Sequence, residues 1–418
     1  MLVFNLFRRC LPAYLLATSL GFANALHTVD HLDPIEIDNT LTLPKLVDLT
    51  MEKIPDANWL TSLEEEAKAI AERGNSWTAG APQAGLRFQE ATSGTLHYVD
   101  ATINVPLWNL GQRDAQQNLG LQAQGSAETQ AVATKLRVAG LIRTALWDME
   151  LQKIRYDQTN IEVSTFEQLL TKISKRVELG DLPRADLLLA QTELLQKQSL
   201  LVLAEAEWMH ARKRYSSITR TSKVPATFIE NLVPIQEINQ SHPNLIALNG
   251  LIERKQAELD ALRLVGSGQT NLTVGINSDR PSNNDPRSNK TESFNIGVTV
   301  PFGGSAHTQP HVAAVNVELN RLIAEREQLF RDLEQAHHEA EHNLEVNQAA
   351  LSIANELKKS AEEHLGMTQL SFSVGEIDLL DLLKIQARTQ QAVLNAKERA
   401  VMLQRDRAFY NQAVGMLP

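Results

Sequence analysis

Two kinds of chemistry are written into the residue spacing. The first is His338-Glu339-Ala340-Glu341-His342, which matches H-E-x-x-H. In a zinc hydrolase the two histidines, one helical turn apart, bind the metal and the glutamate acts as general base. Such a site needs a third ligand from elsewhere. The downstream carboxylates Glu356, Glu362 and Glu363 lie on the same predicted helix, about 20–30 Å further along its axis. No turn signal folds them back before Gly366. The flanks, Leu333-Glu-Gln-Ala-His and Asn343-Leu-Glu-Val-Asn-Gln, are those of a half-solvated coiled-coil helix. The reading is therefore a solvated helix face, with no catalytic residue, metal or cofactor assigned; adventitious or transport-related metal contact is one alternative, and a zinc hydrolase through His338, Glu339 and His342 is kept as a minor one.

The second kind is a recognition surface that occurs twice. Arg176-Val-Glu-Leu-Gly-Asp-Leu-Pro-Arg-Ala-Asp-Leu-Leu-Leu-Ala-Gln191 has a counterpart in Ser371-Phe-Ser-Val-Gly-Glu-Ile-Asp-Leu-Leu-Asp-Leu-Leu-Lys-Ile-Gln386. Gly375 follows Gly180 by 195 residues, and Asp381 follows Asp186 by the same 195. In each copy a polar helix pattern stops at glycine, an acidic turn follows, and an Asp-Leu-Leu helix begins. This predicts the tip of a helical hairpin: glycine takes the left-handed conformation past a helix end, and acidic residues suit the start of the next helix. Helix-dipole placement alone accounts for Asp186 and Asp381.

Long elements must hold those tips. From about Gln112 to Leu179 only Gly120, Gly125 and Gly140 interrupt, and Val138, Ile142, Ala145, Met149 and Tyr156 keep the spacing of a coiled-coil seam. A helix of this length spans on the order of 100 Å. After the first tip Leu187, Ala190, Leu194, Leu201, Ala204, Trp208 and Ala211 continue the seam, with Lys197 the one polar intruder. A second long helix is expected over about 310–374 and a last one over about 378–414.

Ahead of each long helix the period changes to two. Ala84, Leu86 and Phe88, then Val99, Ala101, Ile103 and Val105, form one apolar face of a hairpin over about 83–106. Its second strand is predicted to end at Pro106, which cannot donate to a ladder. Leu272, Val274 and Ile276, then Phe294, Ile296, Val298, Val300 and Phe302, repeat the plan over about 270–302. Pro301 follows Pro106 by 195 residues, the offset of the tips.

The chain thus divides into residues 1–25, a first repeat over 26–220, a junction over 221–243 carrying Pro225, Pro234 and Pro243, and a second repeat over 244–418. Residues 1–25 are a predicted signal peptide, with Arg8 and Arg9, an apolar Leu11–Phe22 and Ala23-Asn24-Ala25. Cleavage leaves a chain starting at Leu26 without its single cysteine, Cys10, which excludes disulfides and thiolate chemistry. It also removes Arg8 and Arg9, taking the formal charge from −10 to −12. Nucleic acid is excluded as a partner on that charge.

The fold class is mainly α with a β-barrel part. Four strands cannot close a barrel and an open edge cannot sit in lipid, but three chains would supply twelve, an even number. Here the chain resembles the TolC-type outer-membrane efflux proteins. The residues that carry the resemblance are Val105-Pro106-Leu107-Trp108-Asn109-Leu110-Gly111, Val300-Pro301-Phe302-Gly303-Gly304 and the two tips. Trp77-Thr-Ala-Gly-Ala-Pro82 and Pro106–Arg113 are most similar to the branch that works with heavy-metal and cation exporters.

The resemblance implies a homotrimer in the outer membrane of a Gram-negative bacterium, with a twelve-stranded barrel in lipid on a periplasmic helical tunnel. It implies a periplasmic membrane-fusion adaptor and an inner-membrane pump of the RND or ABC type as partners. Gly180, Asp181, Leu182, Asp186, Gly375, Glu376 and Ile377 are then the adaptor contacts, and Asp381 is the candidate tunnel gate. Lys384 departs from the family's second acidic gate position. An exported coiled-coil scaffold or adaptor without a barrel is the alternative from the helices alone.

Overall fold

The computed structural model describes residues 35–93, 97–233, 235, 237–280 and 289–418. The expected signal peptide and Cys10 lie outside them, as does most of the polar loop between the last two strands.

In chain order the elements are β1 (Glu36–Asp38), α1 (Leu43–Met51), α2 (Asp56–Asn75), β2 (Gln83–Glu90), β3 (His97–Leu107), α3 (Gln112–Glu178), α4 (Arg184–Thr219), β4 (Lys223–Pro225), α5 (Pro243–Arg263), β5 (Thr270–Arg280), β6 (Thr291–Thr299), α6 (Gln309–Ser373) and α7 (Leu379–Ala413). The two long helices have 67 and 65 residues, so each runs about 100 Å. Toward the strands the helices lie in the order α2, α3, α5, α6. Toward the tips the order is α4, α3, α7, α6. Gly120 lets α2 approach closely: a Cβ there would sit 2.9 Å from Ala71 Cα.

The seam residues behave as their spacing demands. Val138, Ile142, Ala145 and Met149 are buried in one cluster with Leu46, Val47, Ala211 and Tyr215. Tyr215 donates to the Lys223 carbonyl at 2.6 Å, which anchors β4; β4 in turn pairs in parallel with β1. The polar intruder is absorbed by a partner. Lys197 Nζ lies 2.8 Å from Glu162 Oε2 and 5.7 Å from the centre of the Phe166 ring.

Strands β2, β3, β5 and β6 form one antiparallel sheet in that order. Two strand ends differ from expectation. β3 runs through Pro106 to Leu107, because on the side where β2 has already ended the Pro106 carbonyl accepts from Ala79 N–H at 3.0 Å and the missing proline N–H costs no bond. β6 stops at Thr299, where its pairing with Asn271 is the last, so Val300 and Phe302 lie beyond the strand on which they were expected.

Candidate functional site

Each tip is closed by the same two backbone bonds. Gly180 N–H donates to Val177 O at 3.0 Å and Asp181 N–H to Arg176 O at 2.8 Å; Gly375 N–H donates to Phe372 O at 3.2 Å and Glu376 N–H to Ser371 O at 2.9 Å. This is the glycine-terminated helix end in which two orphan carbonyls are satisfied, and it requires the positive φ of +78° at Gly180 and +80° at Gly375. Side chains bridge the same positions: Arg176 Nε meets Asp181 Oδ2 at 3.1 Å, and Ser371 donates to Glu376 at 3.2 Å.

The predicted tip residues divide by depth. Gly180, Asp181, Gly375 and Glu376 are exposed. Leu182 and Ile377 turn inward onto a cluster containing Phe166, Phe372 and Leu382. Asp186 is half-buried in the first turn of α4. Arg176, absent from the expected set, joins the tips: its Nη1 donates to Phe372 O at 3.1 Å and its guanidinium lies over the Phe372 ring at 5.0 Å. Asp381 is exposed in the first turn of α7, its N–H capped by Asp378 at 2.8 Å. Its carboxylate pairs with Lys384 at 3.1 Å, so the residue that departs from the acidic pattern is the one that meets it.

At the other end the sheet has two chemically distinct faces. The register aligns Leu86, Ala101, Ile276 and Phe294 in one row and Ala84, Ile103, Val274 and Ile296 in the next. Leu86, Phe294 and Ile296 are each about two-thirds or more exposed. The opposite face carries Thr102, Asn104, Thr273, Asn277 and Asn295, with Thr273 donating to Asn104 at 2.6 Å. The outer strands β2 and β6 have no strand on their outward sides among the described residues.

His338, Glu339 and His342 are exposed on α6. Glu339 accepts from Gln335 at 2.8 Å. Among the described residues no three histidine, cysteine or acidic side chains of one chain come together as a metal site. The histidine that turns inward is His337, with Nε2 3.0 Å from Ile235 O and 3.3 Å from the Tyr410 hydroxyl. Sequence pattern had no signal for it, since its partners come from the junction and from α7.

This architecture recurs in solved structures. The chain aligns with a membrane protein of Pseudomonas aeruginosa at 15% identity and TM-score 0.71, covering 92% of this chain and 96% of that one. It aligns with CusC at 13% identity and TM-score 0.73, covering 94% and 96%. The MtrE outer membrane channel of Neisseria gonorrhoeae aligns at 14% identity and TM-score 0.69, covering 90% and 89%. No protein-family model and no curated protein sequence matches the chain. The chain has the fold of the TolC-type outer-membrane channels, the family that its tips and strand ends resemble.

Proposed function

We propose that three copies of this chain form an outer-membrane channel: a twelve-stranded barrel continued by a helical tunnel through the periplasm. The duct is the passive exit of a tripartite efflux system, fed by an inner-membrane pump of the RND or ABC type through a periplasmic adaptor that grips the two tips.

The observation that carries this reading is the four-strand sheet with an exposed apolar face, a polar face and two open edges. Lipid forbids unpaired strand edges. β6 of one copy pairing with β2 of the next removes all of them and repeats the antiparallel β3–β5 junction already present within the chain. The apolar rows then face lipid and the Thr/Asn rows face water. A periplasmic scaffold would have no use for the apolar face, so that alternative is set aside. Zinc hydrolysis is set aside because His338 and His342 stand on an exposed helix face.

In this reading Asp381 rings the closed mouth and Lys384 tempers its charge. The cargo follows from the pump; the resemblance of Trp77–Pro82 to the cation-exporter branch points to metal cations over drugs. Planar-bilayer conductance of the purified protein tests the duct. Small conductance that divalent cations block, and that opens in Asp381→Ala, supports tunnel and gate. Conductance unaltered by the substitution keeps the tunnel and removes Asp381 from the gate. No conductance from a folded, membrane-inserted trimer sinks the channel.

A further inference from the structure

We infer that His338 and His342 of one copy, together with His210 of the neighbouring copy, bind a borderline divalent cation such as Zn2+ at each seam of the assembled helical tunnel. The inference rests on the trimer proposed above and supplies the third ligand that one chain lacks.

The two halves of the chain share one register. Residues 195 apart correspond at the strand ends (Pro106, Pro301), at the tips (Gly180, Gly375) and at the ends of the return helices, where Arg220 and Gly415 both have positive φ. No insertion interrupts the helices between these points. α3 therefore corresponds to α6, and α4 to α7. Within the chain α3 packs antiparallel on α7: Gly140 faces Gln412, whose side chain a Cβ there would meet at 3.0 Å. Further down, Arg155 meets Glu398 at 2.6 Å, and Gln158 meets Lys397 at 2.8 Å.

Moved by one repeat, the same packing joins α6 of one copy to α4 of the next. Gln158 and Lys397 become Ile353 and Val202, and Arg155 and Glu398 become Ala350 and Leu203. A charged contact inside the chain is thus replaced by apolar residues on the free edges. Ile353, Val202 and Leu203 are all largely exposed in the single chain, as expected of side chains that a second copy covers. Gly140 and Gln412 become Gln335 and Ser217. Seven residues along α6 from Gln335 is His342, and seven residues back along α4 from Ser217 is His210. Antiparallel register sets these two opposite each other.

Their placement points the same way. The α3 residues equivalent to His338 and His342 are Arg143 and Trp147. Arg143 donates to Gln412 of α7, so the His pair lies on the helix face that this packing turns toward its neighbour, while Glu230 and Phe228 from the segment between β4 and α5 supply the rest of the cover on α3. His338 and His342 are one turn apart on that face. His210 is exposed on α4, 3.7 Å from Glu207. Three neutral imidazoles with one open position suit Zn2+ or Co2+. A cation bound only across the seam stabilises the assembled state by mass action. The site lies on the tunnel wall, far from the tips and from Asp381.

The test uses purified full-length trimer. Calorimetric titration with Zn2+ should give three ions per trimer, and Co2+ should give the visible absorption of a tetrahedral nitrogen site. His210→Ala, and separately the double substitution His338→Ala with His342→Ala, should each weaken Zn2+ binding roughly tenfold or more and erase the tetrahedral Co2+ spectrum. A second variant checks the register without metal: His210→Cys with His342→Cys should crosslink neighbouring copies on oxidation. A trimer whose Zn2+ affinity is the same after His210→Ala, or which does not crosslink, overturns the site and leaves the channel standing. A chain that stays monomeric on a native gel overturns the trimer itself.

Discussion

Arg143 Nε lies 2.8 Å from Glu230 Oε1 and its Nη2 2.6 Å from Glu230 Oε2, a bidentate pair whose arginine is almost wholly buried. Gln412 and the Met416 carbonyl occupy further donors of the same guanidinium. One side chain of α3 therefore fastens the segment between β4 and α5 and the C-terminal residues. Removing one partner of a buried pair strands the other charge at a cost of about 3–5 kcal/mol. Glu230→Ala should lower the free energy of helical unfolding, followed by circular dichroism, by that order. Arg143→Met with Glu230→Leu should recover most of the loss, because no charge is then left buried.

A pH effect follows from His242. Burial holds this imidazole below its ordinary pKa of 6.5, and its Nδ1 accepts from Asn244 N–H at the start of α5, which only the unprotonated nitrogen does. The unfolded chain takes up the proton first as pH falls. The stability His242 contributes is therefore complete above about pH 6.5 and is lost below it, down through the lowered folded pKa. Thermal unfolding at pH 7.5 and 5.5 should show a smaller acid loss in His242→Asn, which keeps an acceptor and does not titrate. An equal acid loss in both proteins would assign the effect elsewhere.

What was legible in the sequence was local or periodic. The tips could be read because Gly180 and Gly375 each end a helix by bonds to residues three to five positions back. The two-faced sheet could be read because period-two alternation fixes which side chains share a face once Leu86 aligns with Ala101 and Ile276 with Phe294. The rest depends on distant partners. β1 and β4 are three residues each and pair across 187 positions, Glu36 with Lys223, so neither has a pattern of its own. Arg143 takes Glu230 from a segment without periodicity. H-E-x-x-H draws attention to His338 and His342, while a rotation of about 100° per residue turns their neighbour His337 into the core against Tyr410.

The tip glycines make a conformational prediction free of packing. Nothing lies within 4 Å of a Cβ placed on Gly180 or Gly375, so alanine costs only its left-handed backbone, about 1–2 kcal/mol. Asparagine tolerates that conformation better and should cost less. If the tips hold the adaptor, Gly375→Ala should reduce adaptor capture by more than Gly375→Asn. Equal capture by both variants would separate turn geometry from docking.

The sheet makes the sharpest demand, because neighbouring residues on β6 should answer oppositely to one substitution. Ile296 shares a row with Val274, Ile103 and Ala84, while Asn295 shares one with Gly275, Thr102 and Gly85. Arginine in place of Ile296 would point its charge at the hydrocarbon, a cost of about 2–4 kcal/mol near the bilayer midplane. Three copies would multiply that cost within one barrel. In the proposed barrel Asn295→Arg would point instead at the water-filled interior and should insert normally while altering single-channel conductance or ion selectivity. Recovery of heat-resistant trimer from the outer-membrane fraction compares the two directly. Loss of trimer in Ile296→Arg with retention in Asn295→Arg places the apolar rows against lipid. The reverse would turn the barrel inside out, and equal recovery would mean that this face does not meet the membrane.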